Sequence, residues 1–441
     1  MKFLTLLVLI TSLASCAKDA KYDKEKAVSA FVNLQKSLLD PSLEKIEVFI
    51  PKQVKNQRWN ASITGDSIEI ENFYKDFKLK KEKISLKKRS KTWSFYSGDG
   101  EKKSLFSPII KNDKAYVLDS SGTIRARDLK LKKTLWKKRI FPRKLFEKYQ
   151  NPKISSFNNI IFAIVGINKV VAVNETDGEI IWSKEIASIP ISTPVCDGKL
   201  IYVSTNDNKL YAFNVKDGRL EWVQSGISRS TAILGAADLV IYKEYIIAAY
   251  SSGEMYVLKK TDGEPVWSRN LNLGRATDSD FYLNDIDATP IVRDDIVYVI
   301  GNGGLMMALK VADGDTIWKK ELSGIVNFWS AGNFIFVINS DDKLMAIHKK
   351  SGGIKWISQL PDYRQSDKPQ TKILYTGVVM AGDKLLVSRA SGKLLIISPL
   401  NGKIEKTFSL GKRVSHSPVV VNNKIYFYTL GKFIADLIEI E

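Results

Sequence analysis

The chain has 441 residues, 67 Lys+Arg against 48 Asp+Glu and a formal net charge of +19, with 44% apolar and 26% charged residues. These are ordinary globular proportions and exclude a mostly disordered chain; the length fits about two to four domains or one large β architecture. Only His348, His416, Cys16 and Cys196 represent their residue types, a scarcity that argues against a zinc site, an iron–sulfur cluster or a Cys/His protease dyad.

In chain order, Met1–Lys2 give a short positive start, Phe3–Ile10 an apolar run, and Thr11–Ser15 a small polar stretch. Residues 1–15 therefore read as a secretory signal peptide, too short for a permanent membrane helix. Leu13-Ala14-Ser15-Cys16 resembles a bacterial lipobox, so cleavage is expected to leave Cys16 as a lipidated N-terminus. Ala17 is not an aspartate, and by the same resemblance the anchor goes to the outer membrane, facing the periplasm. Acyl chains contribute roughly 0.8 kcal/mol per buried CH₂, which makes a multiply acylated cysteine a firm tether. No later stretch approaches 18 uninterrupted apolar residues. An exported location excludes nucleic acid as a partner. With Cys16 acylated, Cys196 has no cysteine in the chain with which to pair.

Residues 16–90 lack any repeat and read as a lipidated tether. Asp23–Leu39 puts Ala27, Phe31, Leu34 and Leu38 at helical spacing before Asp40-Pro41, which predicts one short amphipathic helix. Lys75–Lys91 follows with nine Lys/Arg and two acids in seventeen residues. A run of this kind is a solvated segment that can also meet anionic headgroups.

Self-similarity governs the rest. Val171–Ser183 (VAVNETDGEIIWS), Tyr211–Val223, Tyr256–Ser268, Met307–Lys319 and Met345–Ile357 share one template with Trp four residues after Gly: Gly178/Trp182, Gly218/Trp222, Gly263/Trp267, Gly314/Trp318 and Gly352/Trp356. Arg125–Lys137 keeps Trp136 without Asp-Gly. Ile396–Phe408 keeps Asn401-Gly402 but has Lys406 in the Trp slot, with Phe408 on the same strand face. Asp-Gly between alternating runs signals a two-residue hairpin with both residues at positive φ. The slots at 93, 136, 182, 222, 267, 318, 356 and 406 are spaced by about 45 residues on average, room for the four short strands of one propeller blade.

Seven such units run from Trp136 to Lys406. Ser417–Ile440 supplies about three more strands, and Lys91–Tyr96 supplies a fourth. The expectation is an all-β chain whose residues 91–441 form an eight-bladed β-propeller of four-stranded blades, closed by an N-terminal strand that hides the sheet edges. Trp59 competes with Trp93 for that closing strand. Trp93, Trp136, Trp182, Trp222, Trp267, Trp318 and Trp356 read as residues that dock one blade on the next.

The sequence contains no GxSxG, HExxH or P-loop motif and no paired-cysteine motif. Asp177, Asp217, Asp262 and Asp313 are accounted for by turns, and His416 begins a strand. Gly274–Pro290 stands apart, because it lengthens its unit and gathers Asp278, Asp280, Asp285 and Asp287. In so basic a protein, an acidic loop points to a partner or a cation.

The repeat resembles the blade motif of pyrroloquinoline-quinone (PQQ) dependent dehydrogenases, and it makes the tryptophan repeats PQQ-like. Those enzymes are longer, hold the quinone and Ca²⁺ on the propeller axis, and often carry adjacent cysteines, which this chain lacks. A closer resemblance, over about residues 91–441 and the lipobox, is to the BamB family of outer-membrane lipoproteins. These are eight-bladed, cofactor-free and non-enzymatic, and they serve the β-barrel assembly (BAM) complex. Asn284-Asp285-Ile286-Asp287-Ala288-Thr289-Pro290 is similar to that family's S-D-V-D-T-T-P segment, which implies that Asp285 and Asp287 help bind BamA through its POTRA domains. The family's second contact loop, Leu-Ser-Leu-Arg before Gly, falls on Thr231–Leu234 before Gly235. There Ile233 keeps an apolar contact, Leu234 replaces the arginine and Arg229 lies nearby. The resemblance implies no cofactor and no metal, a membrane contact through the lipid, and unfolded outer-membrane proteins as a further partner. The alternative is a quinoprotein-like periplasmic oxidoreductase, and a glycan-binding propeller is a weaker third reading.

Overall fold

The computed structural model describes residues 39–60, 70–75, 90–96, 108–118, 122–141, 152–165, 168–226, 237–271, 285–361, 374–414, 416–430 and 434–440, with the backbone alone for 60, 90–96, 428–430 and 434–440. The expected helix over 23–39 lies almost wholly outside them. Among the described residues the strands form eight antiparallel sheets. Blades 1 to 7 occupy residues 109–139, 153–185, 195–225, 240–270, 291–321, 329–359 and 375–409 in turn. Blade 8 is built from 419–440 and closed by Ser90–Tyr96, which pairs with Ile434–Ile440 from Ser90↔Ile440 to Tyr96↔Ile434. The N-terminal closure is therefore made by the strand that contains Trp93. The strand of Trp59, Arg58–Asn60, instead pairs with the innermost strand of blade 1 at Ile109–Lys111.

Within a blade the strands run A (innermost) to D (outermost), and the two middle strands carry near-continuous buried residues, as in Ile160–Val165 and Lys169–Asn174. The outermost strands alternate, as in Leu220–Ser225. The antiparallel order puts every A–B and C–D turn at one end of the ring, and every B–C turn and D–A connection at the other.

The turn chemistry differs from the sequence expectation. The two-residue turns with paired positive φ are the A–B turns: Asn112-Asp113, Asn158-Asn159, Asp294-Asp295, Gly382-Asp383 and Asn422-Asn423. The Asp-Gly turns are four-residue loops. In blade 2, Asn174 N donates to Glu179 O and Gly178 N to Asn174 O. Only the glycine takes positive φ, while the Asp177 carboxylate accepts from Glu179 N at 2.9 Å. A following register shift, between Ile180 and Trp182, turns the Trp inward.

The tryptophans link neighbours. A Cβ on Gly178 would lie 2.5 Å from Trp136 Cε3, and Gly218, Gly263, Gly314, Gly352 and Gly402 are equally close to Trp182, Trp222, Trp267, Trp318 and Trp356 of the preceding blade. The indole of Trp136 donates to Glu175 O, Trp182 to Val215 O, Trp267 to Val311 O, Trp318 to Lys349 O and Trp356 to Pro399 O. Trp222 Nε1 has no such partner, and the matching carbonyl, Lys260 O, instead receives Tyr202 Oη at 3.0 Å. At the blade 7 to blade 8 junction Lys406 fills the slot, and the half-buried Phe408 packs into the adjoining core.

Residues 39–60 and 70–75, which fall in the stretch read as a tether, pack as a strap across the A–B/C–D end. Asp40 N donates to Ile354 O at blade 6, Phe73 N to Met380 O at blade 7, and Asn422 N of blade 8 to Asn56 O. Trp59, Phe73 and Trp329 are buried and in tilted contact, with centroid separations of 5.8 and 5.5 Å. This row of rings thus reaches from the strand beside blade 1 to the inner strand of blade 6. Glu71, half-buried, adds an ion pair to the buried Lys349 at 2.9 Å; burial lowers the Lys349 pKa and Glu71 opposes that.

Candidate functional site

The acidic loop singled out in the sequence is the D–A connection entering blade 5, at the end opposite the strap. Ile286 is buried with Ala237 and Leu271 between blades 4 and 5, and Ala288 is buried between blades 5 and 6. The backbone is fixed on both sides, with Asn302 N donating to Asp285 O at 2.8 Å and Ala237 N to Ile286 O at 3.3 Å. These anchors hold the segment 285–290 firmly, so the two carboxylates have defined positions.

Those positions are unequal. Asp285 exposes 2% of its surface, so its carboxylate is not presented to a partner on this surface. Asp287 is half-buried, and its Oδ1 is enclosed without a hydrogen bond. Burial first, and the neighbouring Asp285 second, push the Asp287 carboxyl up to about 6, while Lys153 pulls it down. Of the pair, Asp287 is the group available for an ion pair with an incoming cation.

Around it lies a set of residues that sequence reasoning missed. Thr193 N and Lys153 Nζ both donate to Asp238 Oδ1, at 2.8 and 3.2 Å. Asp238 N donates to Thr289 Oγ1, and Thr289 N to Asn327 Oδ1 at 2.8 Å. Val378 N then donates to Asn327 O, and Ser417 Oγ to Thr376 O. The chain of bonds passes from blade 3 to blade 8 at the entrance of the inner strands. A signal for it existed: Ser107-Pro108, Thr193-Pro194, Thr289-Pro290 and Ser417-Pro418 each precede an inner strand. Proline suits the first residue of a strand, and the hydroxyl before it is free to bond sideways.

Cys16, Ile233, Arg229 and Leu234 lie outside the described residues, as do Asp278 and Asp280. Trp93 is described by its backbone only, and the other six tryptophans sit at the blade junctions given above. Among the described residues no three His, Cys, Asp or Glu side chains are grouped so as to hold a metal ion, and no helix is long and apolar enough to cross a membrane.

Comparison with known proteins places this geometry. The profile of the family described as "Outer membrane protein assembly factor BamB" matches residues 132–358. The BamB of Moranella endobia is 22% identical over 347 residues, covering 77% of this chain and 87% of that protein. The crystal structure of BamB from Moraxella catarrhalis superposes with a TM-score of 0.64 at 18% identity, over 74% of this chain and 94% of that one. Quinohemoprotein alcohol dehydrogenase from Comamonas testosteroni superposes with a TM-score of 0.65 at 10% identity, over 93% and 84%. At such identities the two solved structures establish a shared propeller fold and nothing finer.

Proposed function

The chain belongs to the family of outer membrane protein assembly factor BamB, and from that premise we propose that it is a non-enzymatic scaffold lipoprotein of the BAM complex that assists folding and insertion of outer-membrane proteins. The family match is the observation that carries the proposal. The likeness to the quinohemoprotein is one of fold alone and gives no reason to assign redox chemistry.

In this reading Cys16 carries the lipid that holds the chain to the periplasmic face of the outer membrane. The D–A end of the ring meets a BamA-like barrel protein through its POTRA domains. Asp287 accepts an Arg or Lys of that partner, a charge-assisted bond that fixes orientation and speeds encounter. Asp285, being buried, positions the loop, and Ile233 adds an apolar contact from the neighbouring D–A connection. Unfolded outer-membrane proteins are a further partner. The stapled loop and the bonds from blade 3 to blade 8 support the reading, since a face held this firmly loses little freedom on docking.

The test is co-purification of the BamA-like partner with wild type and with Asp287→Ala. A clear fall in recovered partner, with the thermal midpoint of the ring not lowered, is expected. Undiminished recovery overturns the assignment of Asp287.

A further inference from the structure

The strap-bearing end carries a set of exposed apolar and basic side chains, and the proposed partner contact makes no use of it. Four of the most exposed large apolar side chains project from it: Phe49 at 64%, Val54 at 47%, Leu131 at 65% and Leu400 at 54%. Phe49 and Val54 are on the strap. Leu131 and Leu400 are in the C–D turns of blades 1 and 7, between Thr123–Asp128 and Thr134–Arg139 and between Lys393–Ile397 and Ile404–Ser409. None of the four is needed for a turn or a blade junction, and an apolar residue at a turn tip has no packing partner to gain from the fold.

Between them stand exposed cations: Lys45, Lys52 and Lys55 on the strap, Lys132 and Lys133 beside Leu131, and Lys403 beside Leu400. Among the described residues the exposed acids on the same arc are fewer. They are Glu44 and Glu47, with Asp383, whose carboxylate is held by Gln53 and Asn72, and Glu405, which is paired with Lys384. Apolar tips among lysines are the composition of a surface that lies at the headgroup level of a bilayer, where the tips reach the acyl boundary and the lysines meet lipid phosphates.

The path of the chain points the same way. Residue 39 enters the ring here, beside the C–D turn of blade 6, where Asp40 N meets Ile354 O. Lys75 leaves the strap at the A–B turn of blade 8, with its Nζ donating to Asn423 O at 2.7 Å. Ser90, opposite Ile440, starts the outermost strand of blade 8 from this same end. The sequence between these last two points, 76–89, has seven Lys/Arg and two acids.

We propose that the strap-bearing end, over blades 6, 7, 8 and 1, is a membrane-contact face for bilayers with anionic headgroups. The apolar tips Phe49, Val54, Leu131 and Leu400 insert, and the lysines among them bind phosphate. The face works whatever protein the opposite end binds, and it leaves the Asp287 end pointing away from the bilayer.

The experiment uses the full chain with Cys16→Ser, so that no lipid assists. It is sedimented with vesicles of phosphatidylethanolamine and phosphatidylglycerol (3:1), and with vesicles of phosphatidylcholine alone. Binding to the anionic vesicles is expected, weakened by salt. The triple variant Lys52→Glu, Lys55→Glu, Lys133→Glu should bind at least about tenfold more weakly, at roughly 1 kcal/mol per lysine near the surface. A charge-matched rim control, Lys137→Glu, Lys184→Glu, Lys319→Glu, on exposed positions of outermost strands, should bind as wild type does. Phe49→Ser with Leu131→Ser and Leu400→Ser should abolish the binding that survives high salt. All variants are checked by circular dichroism and thermal midpoint, and these surface changes should leave both in place. Equal binding to the two kinds of vesicle, or an equal loss in the rim control, overturns the proposal.

Discussion

Trp318→Phe and Trp222→Phe form a matched pair that probes what the indole nitrogen contributes to a blade junction. Each ring packs against a tyrosine: Trp318 lies 6.1 Å from Tyr298 at 39°, and Trp222 lies 5.8 Å from Tyr202 at 45°. Each ring covers the turn glycine of the next blade, Gly352 or Gly263. They differ in that Trp318 Nε1 donates to Lys349 O at 2.7 Å, whereas Lys260 O is taken by Tyr202 Oη. Both substitutions make the same change of ring; Trp318 is buried and Trp222 only half-buried, so the loss of apolar contact is also the larger at Trp318 and acts in the same direction. Only Trp318→Phe also leaves a carbonyl facing an apolar junction without its donor, at about 1–3 kcal/mol. Trp318→Phe is therefore expected to be more destabilising than Trp222→Phe by about 1–2 kcal/mol. Urea unfolding followed by far-ultraviolet circular dichroism reads the difference directly, as a lower midpoint for Trp318→Phe at an unchanged slope. Equal midpoints, or a larger loss for Trp222→Phe, would refute the view that the indole hydrogen bonds hold the blades together.

Phe73→Ala removes a fully buried ring from the strap and should cost about 3–5 kcal/mol of stability; limited proteolysis should then cut within residues 39–60 faster than in wild type. Gly263→Ala puts a Cβ 2.5 Å from Trp222 at a residue with φ +76, so its thermal midpoint should fall well below that of an alanine at Gly411, which has nothing within 4 Å of its Cβ. Asp287 has a pKa raised to about 6 by burial and by Asp285, with Lys153 opposing. The unfolded chain ionises it near pH 4 and the folded chain near pH 6, so this group erodes stability as pH rises between those values. Asp287→Asn should accordingly raise the thermal midpoint relative to wild type at pH 7.5 but not at pH 3.5. Partner binding that depends on the charged form should weaken as pH falls through 6 in wild type only.

The ring was legible because its blades repeat: a Trp four residues after Gly, at a spacing of about 45, marks an outermost strand wherever it occurs. The closing strand was legible too, since Trp93 falls on that period. The turn type was misread at Asp-Gly because the bulge after the glycine depends on a Trp from the same strand turning inward to the next blade, a tertiary demand that a local motif does not display. The strap was illegible for a different reason. Its contacts, such as Asn72 to Asp383 and Asn56 to Val420, join residues more than 300 apart in sequence and have no period. At the candidate site the sequence picked out Asp285 and Asp287 but could not rank them. Only the folded ring, which anchors the loop through the buried Ile286, encloses Asp285 and lets Asp287 reach solvent.

The central claim is that the ring is an assembly scaffold whose D–A end grips a barrel-forming partner. Its most direct test is an affinity pull-down of the full lipoprotein from detergent-solubilised membranes, with partners identified by mass spectrometry. The account predicts recovery of a large POTRA-containing barrel protein from wild type, and much less of it from Asp287→Ala with the ring intact. Failure of the wild-type chain to recover any such protein would contradict the account.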